Sequence, residues 1–208
     1  MNKKKIVTLC ILSSLVVILT ILIKLNQTNY LDYKIFNIIH NINKGDFTNF
    51  FIIISDYGIV LGVIVTLIVI FLKIPKFAMI ESGLNILLIA LLNFIIKISF
   101  QRIRPDWRII PITGYSYPSA HTMISTVVYG YFIYLTNHYI NNRYLKFTIY
   151  SLSIIMMLLI GFSRIYLGVH YASDVLAGYL ISFIFLIIIT SLNKTIKTKE
   201  NNNLGKKA

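Results

Sequence analysis

Residues 77–100 read FAMIESGLNILLIALLNFIIKISF. Apart from Glu81, Ser82 and Asn85 near the start, and Asn93, Lys97 and Ser99 towards the end, the run is almost wholly apolar. At about 1.5 Å per residue, a helix over it would be about 36 Å long, enough to cross a hydrocarbon core of about 30 Å. Outward from this run, comparable apolar stretches occupy residues 6–23, 49–72, 121–136, 147–162 and 171–192. The hydrophobic fraction is 57%, above that of ordinary soluble domains. The pattern therefore predicts an all-α protein, a polytopic membrane bundle of six transmembrane helices forming one domain over residues 1–192. The run at 6–23 is longer than a signal-peptide core, and no small-x-small cleavage site follows it, so it reads as a retained first span. The Lys/Asn-rich tail at 193–208 reads as basic, cytoplasmic and disordered.

Residues 26–49 are polar, yet Leu31, Ile35, Ile38, Ile39 and Ile42 recur at helical spacing. That predicts a short interfacial helix between the first two spans. His40 within it reads as an interfacial polar residue, and Asp56 as a structural carboxylate at the membrane edge. Glu81, Asn85, Asn93 and Lys97 should face protein or water rather than lipid. His138 falls in a short connection at 137–146 and reads as solvated.

The net charge of +13 would suit a nucleic-acid partner if it lay on one soluble face. Instead, the Lys and Arg lie between and beyond the apolar runs, which is the signature of membrane topology. No nucleic-acid partner is expected. The larger share of the basic residues falls in the N-terminal segment, at 73–76, at 137–146 and in the tail. The positive-inside rule then puts both termini in the cytoplasm and the opposite ends of the spans on the outer face of the cell membrane. Cys10 is the only cysteine, so no intrachain disulfide can form, and no zinc-like Cys/His spacing occurs.

Three polar clusters sit at those outer ends. The first contains Lys97 and, seven residues on, Arg104 followed by Pro105. Alone, it would read as cations snorkelling from a span end. The second, Tyr117-Pro118-Ser119-Ala120-His121, opens the fourth span, where unpaired N–H groups and the helix dipole favour an anion. Alone, it would read equally as an ordinary cap. The third runs from Ser163 and Arg164 to His170 and Asp174. If a helix begins at Val169, His170 and Asp174 share one face. A carboxylate beside an imidazole sets its tautomer and leaves the other ring nitrogen free to attack. Together the clusters supply three cations, hydroxyl and backbone donors, and two histidines, one with a carboxylate partner. Phosphoryl transfer needs those parts: charge stabilisation, a nucleophile and an acid for the leaving group.

In these motifs the chain resembles the type-2 phosphatidic acid phosphatase family, which includes bacterial undecaprenyl-diphosphatases and phosphatidylglycerophosphatases. Lys-x6-Arg-Pro matches Lys97, Arg104 and Pro105. Pro-Ser-Gly-His matches Pro118, Ser119 and His121, with Ala120 in place of Gly. Ser-Arg-x5-His-x3-Asp matches Ser163, Arg164, His170 and Asp174. The resemblance implies that His170 attacks phosphorus, that Asp174 orients it, and that His121 protonates the leaving oxygen and then activates water. It also implies that Lys97, Arg104, Ser119, Arg164 and the Ala120 N–H hold the phosphoryl oxygens, with no metal and no cofactor. Ala120 would be costly only if its position needed a positive φ. The expected substrate is a lipid phosphate, with a polyprenyl diphosphate of the outer leaflet first and phosphatidylglycerophosphate or phosphatidic acid second. A lipid phosphotransferase would share the same intermediate. A non-enzymatic lipid-phosphate carrier would need the cations but not the His170–Asp174 pair. The oligomeric state has no sequence signal.

Overall fold

The computed structural model describes residues 2–42, 47–73 and 77–204. Among these residues the chain forms seven helices: α1 (Lys3–Lys24), α2 (Asn29–Ile42), α3 (Thr48–Lys73), α4 (Phe77–Phe100), α5 (Ala120–Tyr139), α6 (Arg143–Tyr166) and α7 (Ala172–Leu204). Five of them contain stretches long and apolar enough to cross a membrane: Lys3–Lys24, Thr48–Val69, Phe77–Phe100, Arg143–Tyr166 and Ala172–Leu192. This is a multi-pass membrane protein.

α5 is the exception. It starts within one residue of the expected fourth span and runs a turn further, but it carries more hydroxyls than the other long helices. Thr122, Ser125, Thr126 and Thr136 are all buried. Such groups are tolerated in an apolar bundle when they find local acceptors. Thr126 Oγ1 donates to the Thr122 carbonyl at 2.7 Å, and Ser125 Oγ donates to the same oxygen at 3.2 Å. α5 packs against α3, α4, α6 and α7 and forms the centre of the bundle. α1, by contrast, buries only Ile23 and lies along α7. Lys5 Nζ donates to Ser191 Oγ at 3.0 Å, and the Thr20 and Tyr117 hydroxyls meet at 2.8 Å near the other end of α1. Asn85 and Asn93 are buried, and Glu81 accepts from the Tyr131 hydroxyl at 2.5 Å, so these polar groups face protein as expected.

Boundaries differ from the expectation in two places. The helix carrying Asp174 begins at Ala172 and not at Val169, because the chain first has to reverse after α6. His138 lies in the last turn of α5, its Nδ1 3.0 Å from the Tyr134 carbonyl, rather than in a connection. α7 itself runs from Ala172 to Leu204. The expected helix between the first two spans is present as α2. Most of the apolar positions that announced it, among them Leu31, Ile35 and Ile38, point outward, while Asp32 and Phe36 point in.

The reversal after α6 turns on Gly168. Its φ is +66°, and a Cβ there would lie 2.7 Å from the Trp107 carbonyl oxygen and 3.0 Å from the Arg108 Cα. The Leu167 N–H bonds the Ser163 carbonyl at 2.9 Å, the Gly168 N–H bonds the Ile165 carbonyl at 3.0 Å, and the Ile109 N–H ties the preceding loop to the Leu167 carbonyl at 3.0 Å. Both the left-handed backbone and the lack of space call for glycine. Gly168→Ala should therefore destabilise the detergent-solubilised protein by about 1–3 kcal/mol, read as a lower thermal-unfolding midpoint. An unchanged midpoint would show that the turn can shift without cost.

Candidate active site

The site lies at the bundle end where α4 and α6 finish and α5 and α7 begin. Ser119 caps α5: its Oγ accepts from the Thr122 N–H at 3.4 Å and from the Thr122 hydroxyl at 2.9 Å. The Ser119 N–H donates to the Asp174 carbonyl at 3.2 Å, stitching the start of α5 to that of α7. Asn93 of α4 donates to the Pro118 carbonyl at 3.0 Å and so braces the same corner. Ala120 is the first residue of α5 and is not among the positive-φ positions, so its methyl group meets no backbone penalty where the family motif has Gly. Two helix N-termini thus converge, each with N–H groups that lack intrahelical acceptors.

His170 is buried, with its Nδ1 3.5 Å from Asp174 Oδ2. That contact is an electrostatic approach and not a hydrogen bond, and among the described residues Nδ1 has no hydrogen-bond partner. The other ring nitrogen, Nε2, lies 3.2 Å from Arg104 Nη1. A guanidinium can only donate, so Nε2 carries a lone pair and the proton sits on Nδ1, facing the carboxylate. The first turn of α7 holds that carboxylate in place. Oδ2 accepts from the Tyr171 N–H at 3.1 Å, the reach-back contact of a capping box, and Oδ1 accepts from Arg102 at 2.6 Å. His170 and Asp174 are therefore paired as expected, although His170 lies before the helix and not within it.

The cations are held without carboxylates. Arg104 donates from Nε to the Gly114 carbonyl and from Nη1 to the Val169 carbonyl, both at 2.9 Å. Lys97 Nζ donates to the Tyr115 carbonyl at 2.6 Å. Arg164 is almost fully buried and donates to Ser55 Oγ, while its Nε has no partner among the described residues. The Arg164 carbonyl receives the His170 N–H at 3.3 Å. His121, in the first turn of α5, is half-buried and feels the charges of Arg164, Lys97 and Arg104. Among the described residues none of the three cations forms an ion pair. Asp174, the buried carboxylate beside them, is taken by His170 and Arg102. A cluster of desolvated positive charge with donors left open is a site for an anion.

All eight residues singled out from the sequence thus meet at one end of the bundle. Asp56 is exposed on α3, but it acts electrostatically on Arg164. His40 is packed rather than catalytic: its ring lies 4.2 Å from that of Phe36 and stacks on Tyr166 at 5.2 Å. Sequence reasoning missed Ser55, which positions Arg164, and the pair Arg102 and Asp32. Arg102 stands inside the first cluster without an assigned role, and Asp32 lies on α2 with nothing nearby to mark it.

Known proteins resemble this chain in sequence and in fold. The chain is 32% identical over 122 residues to phosphatidylglycerophosphatase B of Bacillus subtilis (strain 168). That match covers 56% of this chain and 60% of the relative, less than two thirds of its length. The fold superposes, with a TM-score of 0.80, on the crystal structure of the first transmembrane PAP2 type phosphatidylglycerolphosphate phosphatase from Bacillus subtilis. The superposition covers 91% of this chain and 97% of that one at 22% identity. Residues 78–197 match the model of the PAP2 superfamily, a stretch that holds every cation and histidine of the site. The chain belongs to the PAP2 superfamily.

Proposed function

We propose that this protein is a metal-independent membrane phosphatase that hydrolyses a lipid phosphate through a phosphohistidine. The observation that carries the reading is the trio of cations without carboxylate ion pairs around an imidazole whose Nε2 lone pair faces one of them, Arg104, at 3.2 Å. In the first step Nε2 of His170 bonds to phosphorus and the bond from phosphorus to the leaving oxygen breaks. His121 gives that oxygen its proton, and Asp174 stabilises the imidazolium. In the second step His121 takes a proton from water, the water oxygen bonds to phosphorus, and the P–N bond breaks to release phosphate. Lys97, Arg104, Ser119, Arg164 and the Ala120 N–H hold the three non-bridging oxygens throughout, where charge builds in the transition state.

The name of the Bacillus relative puts phosphatidylglycerophosphate first among substrates, ahead of the polyprenyl diphosphate favoured by the topology argument. With a diphosphate the leaving group would be the lipid monophosphate, and the same groups would serve. Six crossings are part of the proposal. α4 and α6 both end at the site, so the chain between them has to return, and α5, about 30 Å long at about 1.5 Å per residue, is what returns. The outward apolar side of α2, with Leu31 and Ile38 exposed, supports its lying at the lipid interface. The basic residues at the far ends put the termini in the cytoplasm and the site on the outer face of the cell membrane.

Phosphate release from phosphatidylglycerophosphate, phosphatidic acid and a polyprenyl diphosphate, measured in detergent with excess EDTA, tests the chemistry. His170→Ala should abolish both turnover and phosphoenzyme, and His121→Ala should abolish turnover. Normal turnover by His170→Ala would remove the assignment. The pH profile is a second test. Burial pulls the His170 imidazole down from 6.5 to about 4, Arg164 and Arg104 add to the shift, and Asp174 opposes it. Protonated His170 cannot attack, so kcat/KM should hold on acidification until about pH 4, where an ordinary imidazole would fail near 6.5. An unfolded chain takes up that proton below 6.5, so His170 also draws stability away as pH falls through the same window. An acid limb near 6.5 would contradict the buried, neutral nucleophile. Orientation is tested by labelling. In a Cys10→Ser background, an impermeant maleimide on intact cells should label Tyr115→Cys and spare Asn201→Cys, and the opposite pattern would invert the topology.

A further inference from the structure

Arg102 and Asp32 belong to none of the three motifs, yet they join Thr28, Ser173 and Asp174 in one buried polar network. The Arg102 fork reaches in two directions. Nη1 donates to Asp174 Oδ1 at 2.6 Å and to Ser173 Oγ at 2.8 Å, and Nη2 donates to Asp32 Oδ2 at 3.0 Å and to Thr28 Oγ1 at 3.4 Å. The Tyr171 ring covers the guanidinium, 3.8 Å from Cζ to the centroid. Asp32 in turn grips the start of α7: Oδ1 accepts from the Ser173 N–H at 2.8 Å and Oδ2 from the Ser173 hydroxyl at 2.7 Å. The side chains of Arg102, Asp32 and Asp174 are 10%, 2% and 0% exposed.

We infer that Arg102 and Asp32 are positioning residues for the proposed reaction, with Arg102 holding Asp174 against His170 and Asp32 keeping Arg102 from cancelling the charge of Asp174. Two features lead there. The first is geometric. The bond from Arg102 to Oδ1, together with the Tyr171 N–H on Oδ2, leaves Asp174 one orientation, in which Oδ2 faces Nδ1 of His170. The second is electrostatic. Arg102 paired with Asp174 alone would make a neutral couple, with no net charge left to meet the imidazolium that forms when His170 attacks. A second buried carboxylate divides the guanidinium between two partners. The three groups together then carry one net negative charge beside His170, where positive charge develops. A planar fork suits this bridging task and an ammonium does not. α2, which carries Asp32, thereby becomes a working part of the site and not only a link between spans.

This inference rests on the phosphatase reading, and the test separates the two. Phosphate release from dioctanoyl phosphatidic acid and phosphatidylglycerophosphate in detergent is measured for wild type, Asp32→Asn, Arg102→Lys, Arg102→Gln and the Arg102→Gln/Asp32→Asn double variant. Each is checked for monodispersity and thermal midpoint. Asp32→Asn nearly preserves shape and can still accept from Ser173. It should lower kcat about 10- to 100-fold with KM within about twofold, because it acts on the transition state through Asp174 and touches no lipid. Arg102→Lys should fall similarly, since one ammonium cannot bridge both carboxylates. The double variant leaves no unpaired buried charge from this couple, so its thermal midpoint should recover relative to Arg102→Gln while its kcat stays low. A folded Asp32→Asn with wild-type kcat, or a double variant that regains kcat along with stability, would overturn the positioning role and leave the phosphatase reading standing. Wild type inactive on every lipid would remove both.

Discussion

Positive charge held out of water without a matching carboxylate is the constraint around which this molecule is built. Arg164 is almost fully buried, and its Nε has no partner among the described residues. Arg104 and Lys97 are satisfied by carbonyl oxygens and by the His170 ring. Leaving such charges unpaired in a protein interior costs several kcal/mol each even after relaxation. The surrounding bundle has to hold them there, and it does so through many small restraints. Ser55 of α3 fixes Arg164, the loop carbonyls of Gly114 and Tyr115 fix Arg104 and Lys97, and Asn93 fixes the corner before α5. In the proposed reaction an incoming phosphoryl group would offset the strain by bringing the missing negative charge, most fully where that charge peaks, in the transition state.

The same end of the bundle shows how two helix starts can be set against each other. The Ser119 N–H bonds the Asp174 carbonyl, so the cap of α5 and the first turn of α7 form one rigid corner. His121 projects from one side of that corner and Asp174 from the other, while His170 sits on the short segment released by the turn at Gly168. An imidazole placed on that segment rather than on the helix can lie between the Asp174 carboxylate and the Arg104 guanidinium. Its position is still controlled, because its own N–H bonds the Arg164 carbonyl and Val169 is wholly buried.

Membrane architecture and chemistry make opposite demands on α5. The helix at the centre of a bundle meets protein on most sides, so apolar surface there brings less benefit than tight contact. The buried hydroxyls of Thr122, Ser125 and Thr126 are satisfied by the preceding turn, and Gly130 admits the Leu186 side chain, where a Cβ would stand 2.5 Å from Cδ1. These substitutions toward polar and small residues explain why α5 falls outside the group of helices apolar enough to be recognised as spans by composition alone. It is a helix defined by its neighbours.

The amino-acid sequence alone determined the all-helical membrane class, the order of the elements and the eight residues that meet at the site. Apolar runs of spanning length and motif residues at fixed spacing are local properties, legible without knowing what packs on what. The tertiary structure decided the rest. It places the start of α7 after His170, because the reversal at Gly168 is dictated by the approach of Trp107 and Arg108 from a distant loop. It turns most of the apolar side of α2 outward, because the helix spends its inner face on Asp32 and Phe36. It also joins Arg102 to Asp32 and Asp174 across separations of 70 and 72 residues. No period or motif encodes such a contact. An ion pair in the interior is specified by what surrounds it, and only the folded chain brings those surroundings together.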